Sequence, residues 1–251
     1  MNHRFLRITV FLFAFAAFLL PGYWTGKKIS FLYPFSKSSA TIITNCPRTE
    51  QVHFLLINVD NLENRSITLQ STWWIIFSPD SALQWIPLYP SPAGNVERDK
   101  KLETAFGLEK MGKQRELRTS FIEILLDQDL CWDGYLVSDN IMLSEIVNEL
   151  GGINLRNTHL NGSQVVAQEQ LVLADPVKSL AYQTELMEEI CWNSLHSSIT
   201  RKLDRPVPGL ESHVLLRFSN RIDPINWHNW NQTIKIPTCE FQTKEAFTSL
   251  P

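Results

Sequence analysis

The sequence predicts a layered α/β domain, and three observations carry that reading. Apolar runs of strand length stand at His53–Val59 (HFLLINV), Thr72–Phe77 (TWWIIF) and Leu83–Leu88 (LQWIPL); a near-continuous apolar run is the pattern of a strand covered on both faces. Helix-period segments alternate with short strands further along, and that alternation marks a sheet with helices packed on it. Both periods meet in Asn140–Leu155 (NIMLSEIVNELGGINL). There Ile141, Leu143, Ile146, Val147 and Leu150 recur at helical spacing, Gly151 supplies the left-handed residue that stops a helix, and Ile153–Leu155 reads as a strand.

From the N-terminus, Arg4 and Arg7 precede an uncharged run from Ile8 to Gly26 that Lys27 and Lys28 close. As a helix it spans roughly 28 Å at about 1.5 Å per residue, enough to cross a bilayer. Leu20 is followed by Pro-Gly-Tyr-Trp rather than by a small-x-small cleavage site, so the run reads as an uncleaved anchor. Tyr23 and Trp24 suit the membrane interface, and the basic residues weakly favour a cytoplasmic N-terminus. The chain thus divides into a cytoplasmic stub (1–7), a transmembrane signal anchor (8–26), a linker (27–50) and an extracytoplasmic domain (51–251). Localisation at the cell membrane, single-pass, follows from the same run.

Within the exported part, Pro87 should end the third apolar strand or place it at a sheet edge. Ser91–Lys101 reads as a surface loop, Leu102–Met111 and Glu116–Leu126 as helices, and Gly134–Val137 as a short buried strand. After the double glycine, Asp175-Pro176 is an N-cap followed by proline at the first helical position. A long amphipathic pattern then runs through Leu180, Leu186, Met187, Ile190 and Leu195 until Pro206 and Pro208. Glu211–Phe218 reads as a further helix and Thr233–Ile236 as a last strand.

At 251 residues, 44% hydrophobic and 20% charged, the chain can bury a core in one exported domain. A net charge of −3 with scattered Lys and Arg gives no footprint for nucleic acid. Cys46, Cys131, Cys191 and Cys239 have no zinc-like spacing; in an oxidising compartment they point to one or two disulfides, with three connectivities open. Three glycosylation-type triplets, at Asn64, Asn161 and Asn231, matter only in a host that glycosylates exported protein. The histidines lie on separate segments without an HExxH, and no G-x-S-x-G elbow or phosphate-binding loop occurs. The Trp227–Trp230 cluster could stack on a sugar, though packing is its commoner use.

In chain order, LLINVD (Leu55–Asp60), STWWIIF, a strand ending in Ile86-Pro87, KLETAFG (Lys101–Gly107), GYLVSDN, IVNELGGINL and LNGSQVVA (Leu160–Ala167) resemble the LytR-CpsA-Psr family. That domain is also called the cell envelope-related transcriptional attenuator. The resemblance covers about Val52 to Leu195, with ELGGINL and LNGSQ its most specific pieces. It implies an α/β/α sandwich with a central mixed sheet that encloses an apolar pocket for a polyprenyl-phosphate lipid. It also implies transfer of a lipid-linked glycopolymer onto peptidoglycan, with aspartates holding Mg²⁺ and arginines gripping the pyrophosphate. That chemistry neutralises charge on non-bridging oxygens, the work of Arg forks and a hard cation.

This chain departs from the pattern at most charged positions. The Asp-x-Arg motif stands as Asp60-Asn61-Leu62, Arg-Ser-Asp-Thr as Leu69-Gln70-Ser71-Thr72, and Ile-Pro-Arg-Asp as Ile86-Pro87-Leu88-Tyr89. After LNGSQ the Tyr-x-Arg-x-Arg run is replaced by Ala167-Gln168-Glu169-Gln170-Leu171, and the Arg-Gln pair by Tyr182-Gln183. A charge-assisted hydrogen bond contributes about 1.5 to 3 kcal/mol, so the loss of four or five leaves a pyrophosphate poorly held. The expectation is therefore a membrane-anchored binding module for a polyprenyl-linked glycan, a pseudoenzyme acting beside envelope-assembly proteins. The alternative is an active phosphotransferase with substitute residues: Asp60 for Mg²⁺, Gln183 for the ligand, and Arg65, Arg98 and Asp99 for catalysis. Against that alternative, Asp60 at a strand end commonly caps a turn, while Arg65, Arg98 and Asp99 suit solvated loops and Gln183 a helix surface.

Overall fold

In a computed structural model of the protein, the structure describes residues 51–78, 82–111, 114–196, 210–218 and 238–242. The apolar run at 8–26, the linker, Pro206, Pro208, the Trp227–Trp230 cluster and the strand expected at Thr233–Ile236 lie outside them. Among the described residues no helix is long and apolar enough to cross a membrane.

The domain is built on a six-stranded mixed sheet. β1 (Val52–Val59) pairs antiparallel with β2 (Leu69–Phe77), and β2 pairs antiparallel with β3 (Leu83–Tyr89). On the other side of β1 lies the parallel β6 (Gly134–Asp139), flanked by β9 (Val214–Phe218); β10 (Cys239–Phe241) runs parallel to the start of β3. Pro87 does not end β3. It pairs opposite Trp73, beyond the Leu83–Trp85 stretch that β10 covers, so its missing N–H faces the open side of the strand.

Strand alternation sorts β1 onto two cores. Phe54 and Leu56 join Trp73, Ile75, Phe77 and Trp85 against Met187 and Cys191 of α5 (Pro176–His196). Leu55, Ile57 and Val59 join Ile86, Leu88 and Val137 on the opposite face. That face is closed by Leu102 of α1 (Val96–Ala105) and by Phe121, Ile122 and Leu125 of α2 (Thr119–Leu126). Helices therefore cover both faces, as the expected α/β/α layering requires. A third cluster packs α3 (Asn140–Glu149) and α4 (Gly162–Val172) on α5 through Leu143, Val147, Val165, Tyr182 and Leu186.

Four expectations need correction. The polar run at 91–101 is a loop only as far as Asn95, which caps α1 by accepting from the Arg98 N–H; Glu97, Lys100 and Lys101 lie on the helix's solvent face, with a Lys101–Glu97 pair, while Asp99 turns inward. The helix expected over Leu102–Met111 ends at Ala105, and Leu108–Met111 (β4) forms a hairpin with Gln114–Leu117 (β5). Consequently α2 starts at Thr119 rather than Glu116. Glu211–Phe218 is a 3-10 turn (Leu210–His213) running into β9, because pairing with β6, distant in sequence, outweighs a local pattern that fits either period.

The motifs themselves are fold devices. Gly151 ends α3 at φ +81°, and Gly152 follows at φ +92° into the hairpin of β7 (Ile153–Leu155) and β8 (Thr158–Leu160). In LNGSQ, Asn161 and Gln164 form a reciprocal capping box at the start of α4, a helix not foreseen in the sequence. Gly162 allows α4 to touch α3: a Cβ there would run into the Ser144 carbonyl oxygen. One disulfide, Cys191–Cys239, staples the end of α5 to β10, and Cys131 is also disulfide-bonded.

Asp139, fully buried, joins these parts. Its Oδ1 accepts from the Ile141 and Met142 N–H groups at 3.0 and 3.1 Å, capping α3. Its Oδ2 accepts from the Leu62 N–H at 3.0 Å and from His213 Nδ1 at 2.7 Å. Asp139→Ala should cost about 3 to 5 kcal/mol, since it removes a helix cap and strands buried donors; urea denaturation reads it. Gly162→Ala should cost about 1 to 3 kcal/mol as α3 and α4 are forced apart, with a matching fall in Tm.

Candidate functional site

The ends of β1, β3 and β6 and the starts of β2 and β9 lie at one end of the sheet, a consequence of their pairing directions. A buried polar cluster sits there on the α5 side. It begins with Asn58, whose side chain shares a face with Phe54 and Leu56. Opposite it the β1–β2 register slips: Asn58 pairs with Ser71 and Val59 with Leu69, so Gln70 bulges out of the ladder. Bulges re-aim side chains, and here the Gln70 Oε1 accepts from Asn58 Nδ2 at 3.1 Å; Asn140 Oδ1 lies 3.4 Å from the same nitrogen.

Gln183 reaches the cluster from α5. Its amide faces three acceptors, the Gln70 carbonyl oxygen at 3.1 Å, Glu169 Oε1 at 3.2 Å and Ser179 Oγ at 3.3 Å. Gln183 and Glu169 are each only 1% exposed. Segments far apart in sequence thus converge, and they are the segments that the resemblance aligns with phosphate-handling motifs: Gln70 and Ser71 on β2, Glu169 on α4 and Gln183 on α5.

The electrostatics are the reverse of a phosphate site. Among the described residues no Lys or Arg hydrogen-bonds to this cluster. Burial pushes the Glu169 carboxyl up to about 7, and the Gln183 hydrogen bond offsets only part of that. Glu169 Oε2, Gln183 Oε1 and Asn58 Oδ1 are buried without a hydrogen-bond partner. Asn58 Oδ1 and Gln183 Oε1 are acceptors, and Glu169 Oε2 donates when the carboxyl is protonated and accepts when it is ionised, so the cluster offers an anion no cation and, once Glu169 ionises, repels it.

The residues expected to substitute for the arginines lie elsewhere at this end. Asp60 closes the β1–β2 loop: its Oδ1 accepts from the Thr68 N–H at 2.8 Å and its Oδ2 from Asn64 Nδ2 at 3.5 Å. Arg65 is exposed on that loop. Asp99 is buried, not solvated, and both its oxygens accept from the Ser91 N–H at 3.0 Å; burial raises its carboxyl. Its neighbour Arg98 lines a groove of about 510 Å³ with Ile124, Asp127 and Gln128, and desolvation lowers its guanidinium. Gln183 is in the core, not on the surface. The structure brings only Gln183 into the cluster.

Mg²⁺ finds a poor donor set. Among the described residues no three His, Cys, Asp or Glu side chains gather to hold a metal, and Ser71 stands where the resemblance puts the second aspartate. Asp60 alone, with its oxygens engaged in the loop, does not fit the octahedral oxygen set of that cation. Asn58, Gln70 and Asn140 were not singled out in the sequence; the visible signal was one asparagine inside an otherwise apolar strand.

The fold and this site define an α/β sandwich with a buried polar cluster at one end of its sheet. Solved structures carry the same fold. TagT bound to LIIa-WTA superposes with a TM-score of 0.50 at 13% identity, covering 80% of this chain and 82% of that one. A transcriptional regulator from Enterococcus faecalis gives 0.49 at 15% identity (77% and 76% covered), and B. subtilis TagV 0.49 at 10% (78% and 85%). The described domain therefore has the LytR-CpsA-Psr fold. No protein-family model matches the sequence, and no curated protein matches it.

Glu169 gives the site a pH signature. Its folded pKa lies above the ordinary 4.5, so the native state holds the proton more tightly and its contribution is fully present below pH 4.5. That contribution fades as pH rises to about 7, by at most about 3 kcal/mol. Glu169→Gln should remove this term: the stability of the variant relative to wild type, measured by urea denaturation, should rise between pH 4.5 and 7 and then level off.

Proposed function

We propose that this chain is a divergent LytR-CpsA-Psr domain of the cell envelope, anchored in the membrane by residues 8–26. In this reading it binds a polyprenyl-linked glycan beside envelope-assembly proteins and does not transfer it. The observation that carries the proposal is the Asn58–Gln70–Gln183–Glu169 network, in which Glu169 stands where the resemblance places an arginine, beside Ser71 in the place of the metal aspartate and with no Lys or Arg bonded to it among the described residues. A buried carboxyl with an open oxygen there would meet a pyrophosphate with repulsion, while donor-rich sugar hydroxyls suit its unpaired acceptors. The shared fold with TagT, whose solved complex holds LIIa-WTA, supports the ligand class.

The test has two arms. Mass spectrometry of lipid extracted from the purified full-length chain should find a polyprenyl-linked species. A Mg²⁺-dependent hydrolysis assay on a polyprenyl pyrophosphate should stay at background. Turnover that is lost in Arg65→Ala or Arg98→Ala would make the chain an active transferase with substitute residues, and absence of any polyprenyl lipid would sink the binding reading.

A further inference from the structure

The elbow between α4 and α5 leaves apolar side chains in solvent. Leu171 is 83% exposed and Val177 72%; Ala174 and Pro176 are exposed between them, and Leu173 is half-buried. These residues follow one another along LVLADPV rather than scattering singly over the surface, and clustering of this kind marks an interaction site.

The chain leading into the elbow carries almost no charge. From Asn157 to Ala174 the only Asp, Glu, Lys or Arg is Glu169, which is buried, so the exposed residues of α4 include Ser163, Gln164, Gln168 and Gln170. Beyond Ala174, Asp175 and Lys178 neutralise each other at 3.0 Å. A protein partner would ordinarily be selected by charge complementarity at the rim of such a patch. An uncharged surface with protruding Leu and Val instead fits the bilayer interface, where buried apolar area drives binding.

Position in the fold points the same way. Gln183 touches the start of β2, whereas Cys191 is tied to Cys239 opposite Leu83 at the start of β3, the other end of the sheet. Helix α5 therefore runs away from the polar cluster, and Pro176 lies about 10 Å farther out than Gln183. The elbow is the outward tip of the end that holds the cluster. Ahead of β1 stand the apolar run 8–26 and a linker over 27–50 that, fully extended, spans at most about 80 Å. β1 starts at the far end, about 26 Å away. The tether is long enough for either end of the domain to reach the bilayer.

We propose that the α4–α5 elbow, through Leu171, Leu173, Pro176 and Val177, inserts into the interface of the bilayer that anchors the chain, turning the polar-cluster end of the sheet toward the membrane. This rests on the anchored reading of residues 8–26. A lipid-linked ligand would then meet the cluster with its carrier still in the bilayer.

The experiment places the full-length chain in nanodiscs of phosphatidylcholine and phosphatidylglycerol, without polyprenyl lipid, with an NBD label on Leu171→Cys, Val177→Cys or Gln51→Cys. Gln51 is exposed at the opposite end, directly ahead of β1. Lipids spin-labelled near the head group should quench NBD at 171 and 177 at least about two-fold more than at 51. Equal quenching at the three sites, or stronger quenching at 51, would overturn the proposal. A blue shift at 171 that grows with protein concentration without quenching would assign the elbow to a second copy of the chain and overturn it as well. Because the discs lack the polyprenyl ligand, the outcome is independent of whether the polar cluster binds a glycan.

Discussion

Four hydrogen bonds to one fully buried carboxylate fasten this domain. Asp139 ends β6, caps α3, holds the β1–β2 loop through Leu62 and receives His213 from the segment entering β9. A carboxyl group without partners would be costly in such a position, and this one is kept because each of its oxygens accepts two hydrogen bonds. The loop that carries Asp60 and Arg65 is thereby tied to the same carboxyl group that starts α3. One side chain thereby cross-links β6, α3, the β1–β2 loop and the segment entering β9 at this end of the sheet.

The parts legible in the sequence are those in which local chemistry and tertiary structure agree. The β1 run, the double-glycine stop and the Asp175 cap were all readable because each feature has one physical solution: burial on two faces, positive φ, an orphan N–H. The β4–β5 hairpin and β9 were not. Leu108–Met111 and Val214–Phe218 are short and fit either period, and their pairing partners decide the outcome. The site was half legible. Motif order brought Ser71, Glu169 and Gln183 into register, and the hydrogen bonds of Gln183 to Gln70 and Glu169 show that the register is spatially coherent. The bulge at Gln70 and the inward turn of Asn58 depend on strand pairing, which residue types alone do not reveal.

LNGSQ and ELGGINL now have physical meanings that are independent of catalysis. Gly162 is needed because α4 packs on the backbone of α3, and Gly151 and Gly152 because the chain must reverse into the β7–β8 hairpin. Such positions persist as long as the fold does. Charged residues at a rim persist only while their ligand does, since an arginine without its phosphate is a desolvated cation with nothing to neutralise it. The two sets of residues answer to different constraints, and this chain carries the scaffold residues of the resemblance and few of its charged ones.

The replacements also explain one another. With Glu169 where the resemblance places an arginine, an arginine there would set its guanidinium against the amide nitrogen of Gln183, whose two N–H groups already face three acceptors. A lone return of aspartate at Ser71 would add a second carboxyl to a region in which Glu169 already has an unpartnered oxygen. Each single step back meets a buried charge or donor with no counterpart, at a cost of about 1 to 3 kcal/mol or more. In the Asn58–Gln70–Gln183–Glu169 chain the amide nitrogens of Asn58 and Gln183 have acceptors, whereas Asn58 Oδ1, Gln183 Oε1 and Glu169 Oε2 remain unpartnered, so the network holds its donors and leaves its acceptors open.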